Sequence, residues 1–290
     1  MAEIEPLDRG DVDALTDLAD TRGWGRTPSR WTLTFDHARV WGIRDAGASR
    51  GSGLLAAVSR YEPDGGLAVI GAMLVAEGHE RQGLGSALLQ VAIDAGGVPV
   101  GLYATDLGEP VYRRAGFVDR ERIHVHQGDG PPGAAAAGAR KRGMQAGPPD
   151  ATSLALLQAL DAETEVGDRS ALIADLAAVP GAVIATAASG RAAALAWPQG
   201  DGRYGIGPVA AFDDPGALGV AATVVEAARA AGAVSFRIDL ETSQVGLRTW
   251  CGARGIPEIR TAPGLVLAPE GVDVPPPSPA RRALITQGFG

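Results

Sequence analysis

Apolar residues recur along the chain at two spacings. Val12, Leu15 and Leu18 fall on every third position, with acidic residues at the start, which predicts a helix over 11–19. Thr-Pro-Ser at 27–29 opens a second helix that runs to Phe35. Ala2–Leu7, Val40–Ile43 and Gly53–Tyr61 read as strands, and Glu-Pro-Asp-Gly-Gly at 62–66 is a turn that makes a hairpin with the next run. That run, Leu67–Ala76, is almost continuously apolar, as a strand buried on both faces requires. Leu84, Leu88, Val91 and Ala95 then switch to spacings of four, three and four, an amphipathic helix starting near Gly83. A strand over 96–105, a short helix over 107–117 and a strand from Phe117 to His126 complete the first half.

After residue 128 the pattern disappears. Residues 129–141 are rich in Gly, Ala and Pro and have no face to bury, so they read as a linker, with a small basic cluster, Ala-Arg-Lys-Arg, at 139–142 as a solvated joint. The same order then restarts: helices at 153–160 and 168–178, strands that include 203–212, a helix at 216–231, a strand at 233–240, a short helix and a final strand. Two domains, 1–128 and 142–290, related by duplication at the level of the fold, are the expectation.

Composition narrows the function classes. The 290 residues carry a formal net charge of −8, which argues against general nucleic-acid binding and would tolerate a cationic small substrate. The single cysteine, Cys251, precludes an internal disulfide or thiolate cluster and fits a reducing, cytoplasmic setting. The N-terminus lacks the pattern of a signal peptide, and no apolar run is long enough to span a bilayer. His124 and His126 share a strand face, but no third ligand accompanies them, so no metal is expected.

The candidate chemistry lies where the buried strand meets the helix. Gly83 and Gly85 open that helix, whose first amides have no internal partner and whose dipole favours an anion. A tight turn and a phosphate cradle are both compatible with the pair. A dinucleotide fingerprint would need glycine where Leu88 stands, and no Gly-Lys-Ser/Thr tripeptide of a P-loop occurs.

Leu-Val-Ala-Glu-Gly-His-Glu-Arg-Gln-Gly-Leu-Gly-Ser-Ala-Leu-Leu, 74–89, resembles the acyl-CoA-binding motif of the GNAT superfamily of N-acetyltransferases. The glycines match its R/Q-x-x-G-x-G/A pattern. Glu80 stands where the family usually has Arg or Gln, with Arg81 expected to compensate. The segment Leu102–Phe117, with Tyr112 before Gly-Phe, resembles the family's later segment, and residues 18–31 look like the two-helix acceptor-side segment of a two-domain group, where Trp24 and Trp31 would line the pocket or simply pack. The second half, through 159–173 and 204–211, resembles that group's companion domain. Asp213 and Asp214 occupy the place of a pyrophosphate there, so this half is expected to bind no acyl-CoA and to wall the acceptor cleft.

The resemblance implies an α/β fold of two GNAT-like domains, each a mixed, mostly antiparallel sheet flanked by helices. It implies an acetyl-CoA-dependent N-acyltransferase acting on a primary amine, with a non-catalytic acyl-CoA sensor as the alternative. Arg81, Gln82, Gly83, Leu84, Gly85 and Ser86 would hold the pyrophosphate, Leu74 and Val75 would pair with the pantetheine arm, and Tyr112 would protonate the departing thiolate. No acid lies on the strand 67–76, so Glu62, Asp64, Asp106 or a water relay would serve as base. A small-molecule or amino-group acceptor, and a monomer or homodimer, complete the expectation.

Overall fold

The computed structural model describes residues 3–131, 143–164, 167–274 and 276–289. Most of the linker, including the basic cluster at 139–142, lies outside the described residues. The first half runs β1 (Ile4–Leu7), α1 (Val12–Thr21), α2 (Pro28–His37), β2 (Ala38–Arg44), β3 (Leu54–Tyr61), β4 (Ala68–Val75), α3 (Leu84–Asp94), β5 (Val100–Tyr103), α4 (Glu109–Arg114) and β6 (Val118–Gly128). The second repeats that order: β7 (Met144–Gly147), α5 (Ala151–Ala162), α6 (Ser170–Ala178), β8 (Val183–Ala187), β9 (Ala192–Gly200), β10 (Arg203–Ala211), α7 (Asp214–Ala230), β11 (Ser235–Glu241), α8 (Val245–Ala253) and β12 (Glu258–Leu267), with β13 (Arg281–Ala283) added at the end.

Local chemistry sets the helix ends. Pro28 occupies the first turn of α2, where its missing N–H costs nothing. Asp150 and Ser153 cap α5 reciprocally. At the other end of α3, the Arg60 side chain, fully buried on β3, donates to the Ala92 carbonyl at 2.8 Å and the Ile93 carbonyl at 3.3 Å. These are orphan carbonyls of the helix terminus, so Arg60 pins the back of α3 to the sheet.

The thirteen strands of the described residues join one sheet, mixed but mainly antiparallel, in the order β1-β2-β3-β4-β5-β12-β6-β11-β10-β9-β8-β7, with β13 beside β10. Read from either end, the order is the same once β1 is matched to β7, β2 to β8 and so on to β6 and β12. The duplication expected from the sequence is therefore visible as a pseudo-twofold. It also carries an exchange: β12 of the second half lies between β5 and β6, and β6 of the first half lies between β12 and β11. The halves expected on either side of 129–141 therefore share one sheet.

On one face of the first half's sheet, α3 and α4 cover a core that includes Ile70, Leu88, Leu102 and Phe117. On the other, α1 and α2 cover Leu15, Trp31, Ala57 and Leu74. The second half has its own core around α7 and Phe236. No helix among the described residues is long and apolar enough to cross a membrane.

Candidate functional site

Strands β4 and β5 are parallel, but they pair only through Ala68–Val100 and Val69–Gly101. Beyond Val69 they separate, and the outer edge of β4 has no strand partner among the described residues. A bulge lies in the unpaired stretch: Ser59 pairs with Gly71 and Ala57 with Leu74, so Val58 alone opposes Ala72 and Met73. Ala72 pays for it with a left-handed backbone, φ 46°. Nothing in the apolar run signalled this bulge, because Ala72 has no turn chemistry of its own. The Ala76 N–H donates to Leu55 on β3 at 2.7 Å. Peptide directions alternate along a strand, so the Val75 N–H faces the gap and that of Leu74 faces β3. Of the two residues expected to meet the pantetheine arm, Val75 presents its backbone to the gap. Leu74 is turned inward, its side chain buried under α1 and α2.

The chain then turns through 76–83 into α3. Gly83 is the residue before the first helical position, with φ 85°, and no side chain caps the helix start. The amides of Leu84, Gly85 and Ser86 are those of its first turn and have no intrahelical acceptor. A side chain on Gly83 would meet nothing within 4 Å, and one on Gly85 only Val75, at 3.5 Å. Packing demands neither glycine, although Gly inside a helix costs about 0.5–1 kcal/mol relative to Ala. The space they leave opens on the amides. Arg81, Gln82 and Ser86 are exposed around it. The cradle fits a pyrophosphate by backbone donors, helix polarity and open approach.

Glu80 does not face the cradle as an uncompensated charge. It pairs with Arg22 at the end of α1 at 2.7 Å and accepts the Gly78 N–H at 2.8 Å; its own backbone N–H first, then Arg22 and Gly78, hold its carboxyl below the usual range. The expected compensation by Arg81 is therefore corrected: Arg22, 58 residues earlier, provides it. Nothing local in sequence could reveal that pairing.

Tyr112 sits on α4 with its ring buried against Phe117, centroids 6.0 Å apart. Gly108 makes room for it, since a Cβ there would come within 2.8 Å of the ring. Burial alone pushes the phenol up to about 12, so it remains protonated at neutral pH. Among the candidate bases, Glu62 and Asp64 lie beyond the opposite end of β4 from the gap, Glu62 being bound to Arg60 and Arg39 at 2.9 and 3.1 Å. The structure removes both from the site. Asp106 follows β5 on the side where the strands diverge and is exposed. His124 is engaged with Glu258 and Thr242, and His126 with the Ile256 carbonyl. Trp24 and Trp31 stack at 6.3 Å, Trp31 buried.

The matching place in the second half is closed. Strands β10 and β11 pair in parallel over four residues, and where they would part, β13 pairs with Val209 and Ala210 of β10. Arg281 anchors this insert between the buried carboxylates of Glu121 and Glu241. The start of α7 is occupied as well: Asp213 caps Gly216 at 2.6 Å, and Asp214 pairs with Arg282 at 2.7 Å. The acidic pair was legible in the sequence; the strand that fills the gap was not.

Compared with known families, residues 13–117 match the acetyltransferase (GNAT) family, and that match covers about a third of the chain. None of the curated proteins compared with the chain matches it. A putative acetyltransferase from Pyrococcus horikoshii has a similar structure at 15% identity, with a TM-score of 0.77 over 99% of this chain and 95% of its own. A tandem GNAT protein from the clavulanic acid biosynthesis pathway gives 0.68 at 15% identity, over 94% and 100%. A GCN5-related N-acetyltransferase from Sphaerobacter thermophilus gives 0.65 at 14%, over 94% and 97%. At these identities the likeness is one of fold, and it spans both halves.

Proposed function

We propose that this chain, whose residues 13–117 match the acetyltransferase (GNAT) family, is an acyl-CoA-dependent N-acyltransferase with one donor site, in its N-terminal half. The observation that carries the reading is the uncapped glycine start of α3 immediately after a strand whose outer edge is free. Acetyl-CoA is the simplest co-substrate. Its pyrophosphate would rest on the amides around Gly83 to Ser86, and its pantetheine arm would run along the free edge of β4, taking the place of the missing strand.

In that arrangement the backbone of β4 beyond the bulge is aimed at the thioester. The Val75 N–H is the donor there, and a donor aimed at a developing oxyanion contributes on the order of 3 kcal/mol to the rate. The acceptor nitrogen attacks the thioester carbonyl carbon, the C–N bond forms and the C–S bond breaks. The Tyr112 phenol gives its proton to the leaving thiolate. The proton lost by the amine passes to water, with Asp106 as the candidate carboxylate on this side. The second half, its gap filled by β13, supports the first through the exchanged strands and walls the acceptor side. On this reading residues 1–128 and 142–290 are two domains whose strands share one sheet.

The test is acetyl-CoA turnover against a panel of primary amines, read as free thiol, beside calorimetric binding of acetyl-CoA. Turnover on at least one amine supports the transferase. The absence of any carboxylate from β4 favours a second reading, an acyl-CoA sensor, which would bind the coenzyme and turn over no amine. Absence of binding would end both.

A further inference from the structure

Arg237 on β11 lies within electrostatic range of Arg30 on α2 and of Arg260 on β12, and Arg30 within range of Arg203 on β10. Asp239 on β11 stands opposite Val125 on β6, which stands opposite Arg260 on β12, so the three share a face. Arg237, two residues before Asp239, shares it too and binds Asp239 through two hydrogen bonds of 3.0 and 2.9 Å. Gln287 bridges the row, donating to Asp239 at 3.0 Å and accepting from Arg260 at 3.0 Å. Arg203 begins β10, alongside β11. Arg30 reaches in from α2, its guanidinium 5.0 Å from the ring centres of both Trp24 and Trp31.

These charges act on one another. Arg30 is opposed by Arg237 and Arg203, and Arg260 by Arg237, while Asp239 is a compensating charge for both. Asp106, at the end of β5, also faces Arg260. Arg30 and Arg203 have no ion-pair partner among the described residues. A folded chain concentrates like charge at a cost, and here Arg30 and Arg260 are exposed and Arg203 and Arg237 half-buried. The net charge of the whole chain would attract a cation at long range, but at contact the local field decides.

We propose that the acceptor carries, besides its amine, a carboxylate or phosphate held by Arg30, Arg237 and Arg260. The guanidinium fork suits either oxyanion. Trp24 and Trp31 hold Arg30 in place from beneath, and Gln287 fixes Arg260. This rests on the transferase reading, so its test has one readout that does not require turnover.

Matched amines separate the two anions: β-alanine against β-alaninamide, and O-phosphoethanolamine against ethanolamine. At least one anionic member should exceed its neutral partner in kcat/KM by tenfold or more, and the pair that does so names the anion. Arg30→Gln and Arg260→Gln should each remove most of that preference while leaving the Kd for acetyl-CoA within about threefold. Equal rates within both pairs would overturn the proposal. So would a loss of acetyl-CoA affinity in Arg30→Gln, which would assign the arginines to coenzyme phosphates. If no amine is turned over, the transferase reading fails on its own, and the site is read by tryptophan fluorescence during titration with succinate and with inorganic phosphate. A saturable change in the wild type that is absent in Arg30→Gln supports an anion site; no change with either anion overturns it.

Discussion

Replacing Gly83 with leucine separates the proposed coenzyme cradle from the fold. The residue has φ 85°, so leucine there costs roughly 1–2 kcal/mol of backbone strain. Nothing lies within 4 Å of the added Cβ, so no clash adds to that figure. For a chain of this size the strain corresponds to a fall in Tm of about 2–8 °C, which leaves the protein folded at 25 °C. The leucine side chain would stand in the open space over the amides of Leu84, Gly85 and Ser86. A hydrogen bond to a charged group contributes about 1.5–3 kcal/mol, so blocking two of them should raise the Kd for acetyl-CoA about 10²- to 10⁴-fold. Gly47 is a matched control: its φ is 86°, a Cβ there also meets nothing, and it lies in the turn between β2 and β3. Gly47→Leu should lose similar stability and no affinity. Thermal melts with and without acetyl-CoA, beside calorimetric titration, read both quantities. If Gly83→Leu keeps wild-type affinity, or if Gly47→Leu loses as much, the cradle is not where the coenzyme phosphates sit.

Other consequences follow from the same structure. Tyr112→Phe should lower kcat at least tenfold with little change in the KM for acetyl-CoA; because burial lifts the phenol to about 12, wild-type kcat should show no alkaline limb from this group below about pH 11, and such a limb persisting in Tyr112→Phe would assign it to another group. The stability linked to Tyr112 has the matching sign: it is fully present below the unfolded value near 10 and is lost as pH rises from there towards 12. Residues 1–128 expressed alone lack β12, which pairs with both β5 and β6, and should be aggregated or uncooperative in melts until residues 142–290 are co-expressed. Arg169→Ala leaves the buried Asp161 carboxylate without its two hydrogen bonds of 3.0 and 2.5 Å and should cost about 3–5 kcal/mol in denaturant unfolding.

Much of this fold was legible because each signal was local. The apolar run 67–76 marked β4, the four-three-four spacing after Gly83 marked α3, and the restart after the linker marked the second copy of the same order. The two glycines and Tyr112 likewise stood in patterns of a few residues. What escaped the sequence depends on distant pairing. The exchange of β6 and β12 is encoded in no short window, since either strand would read the same beside its own neighbours. The closure of the second gap by β13 depends on a three-residue strand and on Arg281 meeting Glu121 and Glu241, 160 and 40 positions away. Glu80 looked like a misplaced charge until Arg22 was seen beside it, and Glu62 looked available until the sheet put it at the wrong end of β4.

The central claim is one acyl-CoA site per chain, at the start of α3. Calorimetric titration of the full-length protein with acetyl-CoA tests it most directly. Saturable binding with a stoichiometry of one per chain is expected. Two sites would contradict the closure of the second half by β13, and no binding would contradict the assignment of the cradle itself.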